Sequence, residues 1–381
     1  MKVMRSQIGP WTLSAFALVA LLGSAVWAQP ATFLVASDTF AYQSGPLGGR
    51  DGGTGWLGAW WAGSDGTAVD VVPNGFDFVG QKIKTDGMGA QGAFRAIHTT
   101  PWAGMTDAGK FGLDGTSMWI SFRARRFRNS QDLYGGVSLW ENGVGERVFL
   151  GCPYLLNRWG VEAYGSNGGI SIVANGSVQS VGRIVVRIDF MAGDERLRLW
   201  FNNSETYPCT GAAVDRTISD FRFDMIRIKS GGGVNFGGYE FDDLKVELMD
   251  TQFLGTPLYF PSLTGGVQAL TMDVGPAFAG LPYRIFGSAS GSCPGITYSG
   301  QVIALNPDPY FQHTLLYPNQ SPLANSEGIL DAQGRASATV TVPPAYAILS
   351  VPLELWHAGV VLSASGQLLH TTHAASIIVT P

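Results

Sequence analysis

Charge is what this chain has least of. Asp, Glu, Lys and Arg make up 14% of its 381 residues, against about a quarter in an ordinary globular protein. The formal net charge is -5, so nothing overall suggests a nucleic-acid partner. Low charge does not mean disorder here, because disordered chains are polar and poor in aromatics and 12% of this chain is aromatic. Lys- and Glu-bearing Leu heptads are missing, which excludes a long helical or coiled-coil protein. The 51 glycines follow no strict period, which excludes collagen. Beyond residue 28 no apolar run reaches the ~20 residues of a membrane-spanning helix, so no membrane insertion of the mature chain is expected. Cysteine is scarce and odd in number, at three.

What is present points to β structure. Glycine, aromatic and β-branched residues with scattered proline suit short strands joined by tight turns. The length exceeds one typical domain and fits two. Residues 1–28 read as a signal peptide: Lys2 and Arg5 precede an apolar core from Trp11 to Leu22, and Ala25-Val26-Trp27-Ala28 supplies the cleavage region. Cleavage is expected after Ala28, which predicts a bacterial protein that is secreted, periplasmic or on the cell surface. An oxidising destination admits a Cys152–Cys209 bridge, contributing about 4 kcal/mol in the chain-entropy model. Two buried thiols fit equally well, and Cys293 is expected to be unpaired.

Charge also divides the chain. From Asp250 onward there is no Lys, and only Arg284 and Arg335 stand against six acidic residues. The boundary is placed at Met249-Asp250-Thr251-Gln252, giving domains over 29–249 and 250–381. In the first, Ile184, Val186, Ile188 and Phe190 alternate with Arg183, Val185, Arg187 and Asp189. After a turn at Ala192-Gly193-Asp194, Leu197, Leu199 and Phe201 alternate with Arg196, Arg198 and Trp200. That is a hairpin with one buried face. Ile120, Phe122 and Ala124 alternate with Ser121, Arg123 and Arg125 in the same way. The second domain carries strands at Ala338–Val342 and Ser376–Thr380, with a long loop from Asn306 to Pro322 that has room for a helical turn. Two β-sandwiches are predicted.

Several motifs resemble a known family. They are Asp38-Thr39-Phe40-Ala41-Tyr42, Gly45-Pro46-Leu47-Gly48-Gly49, Gly52-Gly53-Thr54-Gly55-Trp56 and Gly58-Ala59-Trp60. Further along come Val186-Arg187-Ile188-Asp189-Phe190, Arg198-Leu199-Trp200, Phe221-Arg222-Phe223-Asp224 and Phe241-Asp242-Asp243-Leu244-Lys245-Val246. In this order, over residues 33–249, they resemble the laminin-G-like domains of exported planctomycete-type bacterial proteins. Those domains belong to the concanavalin A-like lectin/glucanase superfamily. The resemblance implies an all-β jelly-roll of two antiparallel sheets, and no single activity. Residues 258–381 resemble a C-terminal β module of unassigned role found in similar proteins. The resemblance also implies a structural calcium ion. In many jelly-roll carbohydrate modules the first and last strands each give it an acidic residue, which here means Asp38 and Asp242. The plainer expectation is an Asp bonded to Arg or to backbone N–H groups.

Catalytic patterns are mostly missing. The Glu-x-Asp-x-x-Glu run of the laminarinase branch does not occur, and the nearest acidic pair, Glu141 and Glu146, flanks an expected turn. Gly287-Ser288-Ala289-Ser290-Gly291 has Ala where a hydrolase elbow needs Ser. His370-Thr371-Thr372-His373 lies in strand-like sequence, where an odd spacing sends two rings to opposite faces. The Gly-x-Gly-x-x-Gly match at Gly53–Gly58 lacks a strand–helix setting and reads as a glycine-rich loop.

Binding groups remain. Trp56, Trp60, Trp61, Trp102 and Trp140 are candidate sugar platforms. Trp60 and Trp61 cannot both face inward on an extended segment. Arg123, Arg125, Arg187 and Arg198, with Arg196, share outward parity. They would form a basic stripe for an anionic polysaccharide, unless they pair across strands with Asp189 and Glu195. The expectation is an exported, non-catalytic protein that binds glycan or cell-surface polymer. The alternatives are a structural or adhesive envelope protein and a divergent glycoside hydrolase.

Overall fold

The computed structural model describes residues 32–62, 69–85, 91–127, 133–191, 193–232, 238–249, 252–256, 259–261, 263–344 and 353–380. The expected export segment, its cleavage site after Ala28, and Ala192, Asp250 and Thr251 lie outside these residues. Strands are the dominant secondary structure of the described chain, which forms two compact units. One is Thr32–Met249 and the other follows it in sequence.

Eighteen strands build the first unit. In chain order they are β1 (Thr32–Asp38), β2 (Gly45–Pro46), β3 (Trp56–Ala62), β4 (Val69–Pro73), β5 (Gln81–Thr85), β6 (Gln91–Ile97), β7 (Thr106–Asp107), β8 (Lys110–Phe111) and β9 (Ser117–Arg126). There follow β10 (Tyr134–Glu141), β11 (Gly145–Cys152), β12 (Arg158–Ala163), β13 (Gly169–Ser177), β14 (Gly182–Asp189), β15 (Glu195–Phe201), β16 (Val214–Ile218), β17 (Met225–Gly231) and β18 (Tyr239–Met249). Nine form one sheet in the order β16-β15-β14-β9-β18-β5-β4-β2, with β1 pairing on β18. Seven form the other in the order β13-β12-β11-β10-β17-β6-β3. All these pairs are antiparallel, and the inward residues of both sheets merge in one apolar core: a jelly-roll-like sandwich.

Strict alternation drives this packing. Ile120, Phe122 and Ala124 on β9, Ile184, Val186 and Ile188 on β14, and Leu197 and Leu199 on β15 all face the core. They meet Val137, Leu139, Val148, Leu150, Ile226 and Ile228 of the seven-stranded sheet. The predicted β14–β15 hairpin forms, with Val186 opposite Leu199. The glycine-rich loop is explained by a close approach to β1. Gly55 has φ 80°, and a Cβ there would lie 1.7 Å from the Val35 carbonyl oxygen.

Strict alternation along β18 would put Asp242 on the apolar face of Leu244, Val246 and Leu248, and it does not lie there. A bulge between Asp242 and Lys245, with Asp243 at φ 55°, resets the phase. Asp242 therefore stands opposite Arg123 on the outer face.

The second unit is also β. Its strands are β19 (Phe253–Thr256), β20 (Tyr259–Pro261), β21 (Gly266–Asp273), β22 (Pro282–Ser288), β23 (Ile296–Tyr298), β24 (Gln301–Ile303), β25 (Leu323–Ala324), β26 (Glu327–Ile329), β27 (Arg335–Val342), β28 (Leu353–Leu362) and β29 (Leu368–Thr380). A sheet β19-β21-β27-β25 faces a sheet β20-β29-β28-β22-β26, with Leu270, Met272, Ile285, Val340 and Val361 between them. The expected loop at Asn306–Pro322 contains a helix, Pro309–Leu316. Asp308 caps it by accepting the Phe311 N–H at 2.8 Å, and Pro309 starts it. His370 and His373 both lie on β29, and His370 bonds Gln252 at 2.6 Å.

The cysteine expectation is corrected. Cys152 is a free thiol packed in the first core, so the Cys152–Cys209 bridge does not form, and Cys293 is not the unpaired thiol expected. Cys152 points inward from β11, where apolar packing leaves it no sulfur partner.

Candidate functional site

The two faces of the seven-stranded sheet differ sharply. Inward it is apolar. Outward it carries a cross-strand row running Trp61, Phe94, Arg227, Ser138, Phe149, Glu162 and Ile170, one residue from each strand from β3 to β13. A neighbouring row brings Trp140 opposite Met225 and Glu146. A bulge between Leu139 and Trp140 turns Glu146 onto this face.

Trp60 and Trp61 divide as strand parity requires. Trp60 is 1% exposed and packs in the core, whereas Trp61 is 41% exposed on the outer face. Trp61 stacks on Phe94 with ring centroids 6.0 Å apart and planes 13° from parallel. Trp140 meets Phe94 edge-on at 5.1 Å. The Arg227 guanidinium covers Phe94 at 4.9 Å and Trp140 at 5.6 Å. These contacts fix the aromatic ladder and leave Trp61 as its most open ring. Trp56 and Trp102 are only partly buried but pack against the core, and the Trp56 indole N–H donates to the Ser37 carbonyl at 3.0 Å.

Beside the ladder lies a polar cluster. Lys229 binds Glu146 at 2.7 Å, and the Ser138 hydroxyl donates to the same carboxylate. Tyr164 interacts with both Glu146 and Glu162. Burial, then these two negative charges, hold its hydroxyl well above the usual tyrosine range. Burial pulls Lys229 below the usual lysine range despite Glu146. Gly136, Gly151 and Gly160 stand side by side on β10, β11 and β12. The missing side chain at Gly136 lets the Phe149 ring lie down on the sheet. Together these groups make a surface with open aromatic rings at one end and hydrogen-bonding groups in the middle. Such a surface suits stacking and hydroxyl recognition.

Arg123, Arg125, Arg187 and Arg198 do lie on neighbouring strands, on the outer face of the nine-stranded sheet. Each is matched by a carboxylate. Arg123 makes two bonds to Asp77, at 2.6 and 2.9 Å, and a third to Asp243. Arg125 pairs with Glu240, Arg187 and Arg198 share Asp189, and Arg196 holds Asp215. No bare basic stripe results. Glu195, expected as an outward partner, is instead fully buried, and its carboxylate accepts the Met191 N–H at 2.6 Å.

Asp38 and Asp242 are not brought together. Asp38 points into the sandwich. Its Oδ1 accepts the Phe40 N–H, and its Oδ2 accepts from Tyr42, Trp60 and Arg95 at 2.6, 2.9 and 2.9 Å. Burial and the Asp38 carboxylate push the Tyr42 hydroxyl up to about 12. Asp242, on the opposite face of the same sheet, accepts from the backbone of Phe76 and Asp243. Burial, then the Asp243 charge, push its carboxyl up to about 6. Among the described residues no group of three or more His, Cys, Asp or Glu stands in metal-binding geometry.

Phe94, Arg227, Lys229, Glu162 and Tyr164 escaped the sequence reading. Phe94, Arg227, Lys229 and Glu162 sit at outward parity on their strands and Tyr164 just follows β12, but only the pairing of distant strands assembles them. Arg95 was equally hidden, although one signal exists: it shares parity with Ala93 and Ile97 and so is a charge on an apolar face.

No protein-family model and no curated protein matches the chain. Similar solved structures share little sequence. A protein of unknown function from Shewanella oneidensis MR-1 is 10% identical, with 65% of this chain and 98% of that one covered and a TM-score of 0.37. The CBM22-1 xylan-binding domain from Paenibacillus barcinonensis is 11% identical, covering 58% and 99% with a TM-score of 0.28. The exoplasmic/lumenal domain of VIP36 is 11% identical, covering 49% and 83% with a TM-score of 0.30.

Proposed function

We propose that this is an exported carbohydrate-binding protein that holds a glycan or cell-surface polymer on the outer face of its seven-stranded sheet. The observation that carries this reading is Trp61, an open indole held flat by Phe94 and set beside the Ser138–Glu146–Lys229 cluster. A sugar ring presents C–H groups to an indole and hydroxyls to carboxylates and amines, so the surface offers both halves of the interaction. The family resemblance of residues 33–249 supports the same reading, and the pattern of residues 1–28 supports export. A glycan array tests it, run on residues 29–381 with and without calcium. Binding that disappears in Trp61→Ala is expected. No binding to any neutral or acidic glycan removes the reading and leaves a structural or adhesive role.

One observation favours a second reading, glycoside hydrolysis. Glu146 and Glu162 both reach Tyr164, so two carboxylates stand near one another on this face. Release of new reducing ends from a bound glycan, abolished by Glu162→Gln, would establish it. Glycan that binds and stays intact leaves the non-catalytic reading.

A further inference from the structure

We propose that the ligand is an extended neutral oligosaccharide lying across the strands, with one end on Trp61 and the other hydrogen-bonded by Glu162. This rests on the reading of the face as a glycan site and adds the ligand's charge and minimum length.

Spacing sets the length. Trp61 on β3 and Glu162 on β12 belong to one cross-strand row and are separated by β6, β17, β10 and β11. Strands lie about 4.8 Å apart, so five steps place the ring and the carboxylate about 24 Å from one another. One or two sugars cannot touch both. A chain of several rings can, and it passes Arg227, Ser138 and the Lys229–Glu146 pair on the way.

Charge sets the chemistry. Of the cations on this face, Lys229 is committed to Glu146, Arg227 lies against the rings of Phe94 and Trp140, and exposed Arg158 starts β12, four residues before Glu162. Glu162 is outside every ion pair among the described residues. Its known partner is the Tyr164 hydroxyl, and Lys229 feels its charge without pairing to it. A half-exposed carboxylate accepts charge-assisted hydrogen bonds from sugar hydroxyls. The same group repels a uronate or a sulfate. The arginines that would suit a polyanion sit on the other sheet and are already matched by Asp77, Glu240 and Asp189.

Calorimetric titration of residues 29–381 tests this. The neutral probes are length series cut from xylan, β-glucan and mannan, and the acidic probe is an oligogalacturonate series. A neutral series is expected to bind, with affinity climbing as sugars are added and levelling once the chain spans the face. Trp61→Ala and Glu162→Gln should each weaken the longest member by about tenfold or more, with unchanged melting temperatures. About 0.5 M NaCl, where the Debye length is only a few ångströms, should change little. Glu162→Lys should admit oligogalacturonate. Binding confined to oligogalacturonate and lost in salt overturns the inference while leaving glycan recognition standing. So does a monosaccharide that binds as tightly as the longest chain. Silence towards both series removes the glycan reading itself.

Discussion

Arg95 and Asp38 form a buried ion pair that ties the two sheets together. Asp38 ends β1 in the nine-stranded sheet and Arg95 lies on β6 in the seven-stranded sheet. Their atoms meet at 2.9 Å with both side chains 1% exposed. The guanidinium also donates to the Gly58 carbonyl and to Asp51, and it lies over the rings of Trp56 and Trp60. The pair is thus satisfied on all sides, which is the condition for a buried charge to be tolerated. Arg95→Met leaves Asp38 charged and uncompensated, and it should lower unfolding free energy by about 3–5 kcal/mol. Urea denaturation measures this. Adding Asp38→Asn to that variant should recover part of the loss. Equal losses in the single and double variants would show that packing, not charge, is what Arg95 contributes.

Neighbouring tryptophans should behave oppositely. Trp60→Ala opens a cavity in the core and should cost about 3–5 kcal/mol. Trp61→Ala removes an outward ring and should change stability by less than about 1 kcal/mol. Acrylamide should quench Trp61 fluorescence readily and Trp60 poorly. Equal quenching would contradict the division between core and surface.

Glu195 should make the first unit sensitive to alkali. Burial pushes its carboxyl up to about 9 from an ordinary 4.5, although Arg222 lies 3.6 Å away. The folded state therefore holds this proton more tightly than the unfolded one. The resulting stability is fully present below pH 4.5 and drains away as pH rises towards about 9. Glu195→Gln mimics the protonated form and should flatten the fall in stability across that window. A parallel fall in both proteins would assign the pH dependence elsewhere.

Calcium at an Asp38–Asp242 pair is disfavoured by geometry. The two carboxylates face opposite sides of one sheet, and a cation at Asp38 would have to displace Arg95. The melting temperature is expected to be the same in calcium and in excess chelator. A fall of several degrees in chelator would require a cation site built from other residues.

Thiol chemistry should single out Cys152. Burial in apolar surroundings raises its pKa and removes it from solvent. Without reductant, Cys152 should resist a thiol reagent in the native protein and react once the protein is denatured. Rapid labelling of the Cys152 peptide in the native protein would contradict its burial.

Local alternation made much of the fold readable. The β14–β15 hairpin and the inward face of β9 follow from period-two patterning in uninterrupted strands, and the adjacent tryptophans of β3 oppose each other although its pairing with β6 shifts between Leu57 and Trp61. Readability ended where one residue broke the period. The bulge after Asp242 reverses its face, and no composition marks it, because Asp243 takes a positive φ that Asp tolerates. The helix at Pro309–Leu316 shows in the sequence only as a helical turn within a loop, because its signal is the Asp308-Pro309 start, not an apolar stripe. The candidate site was legible only in fragments. Trp61 and Trp140 stood out as large rings, but Phe94, Arg227 and Glu162 join them through strand pairings between residues far apart in sequence. Local patterning also could not show which acid matches each arginine of the expected stripe, or that Arg187 and Arg198 share Asp189.

The back-to-back arrangement of Trp60 and Trp61 has an evolutionary consequence. A single peptide bond separates the ring that packs in the sandwich core from the ring proposed to meet a ligand. Gaining or losing one residue just upstream would turn β3 over, exposing the first and entombing the second. The strand is therefore closed to length variation, and lineages can diversify recognition here only by substitution, one side chain at a time.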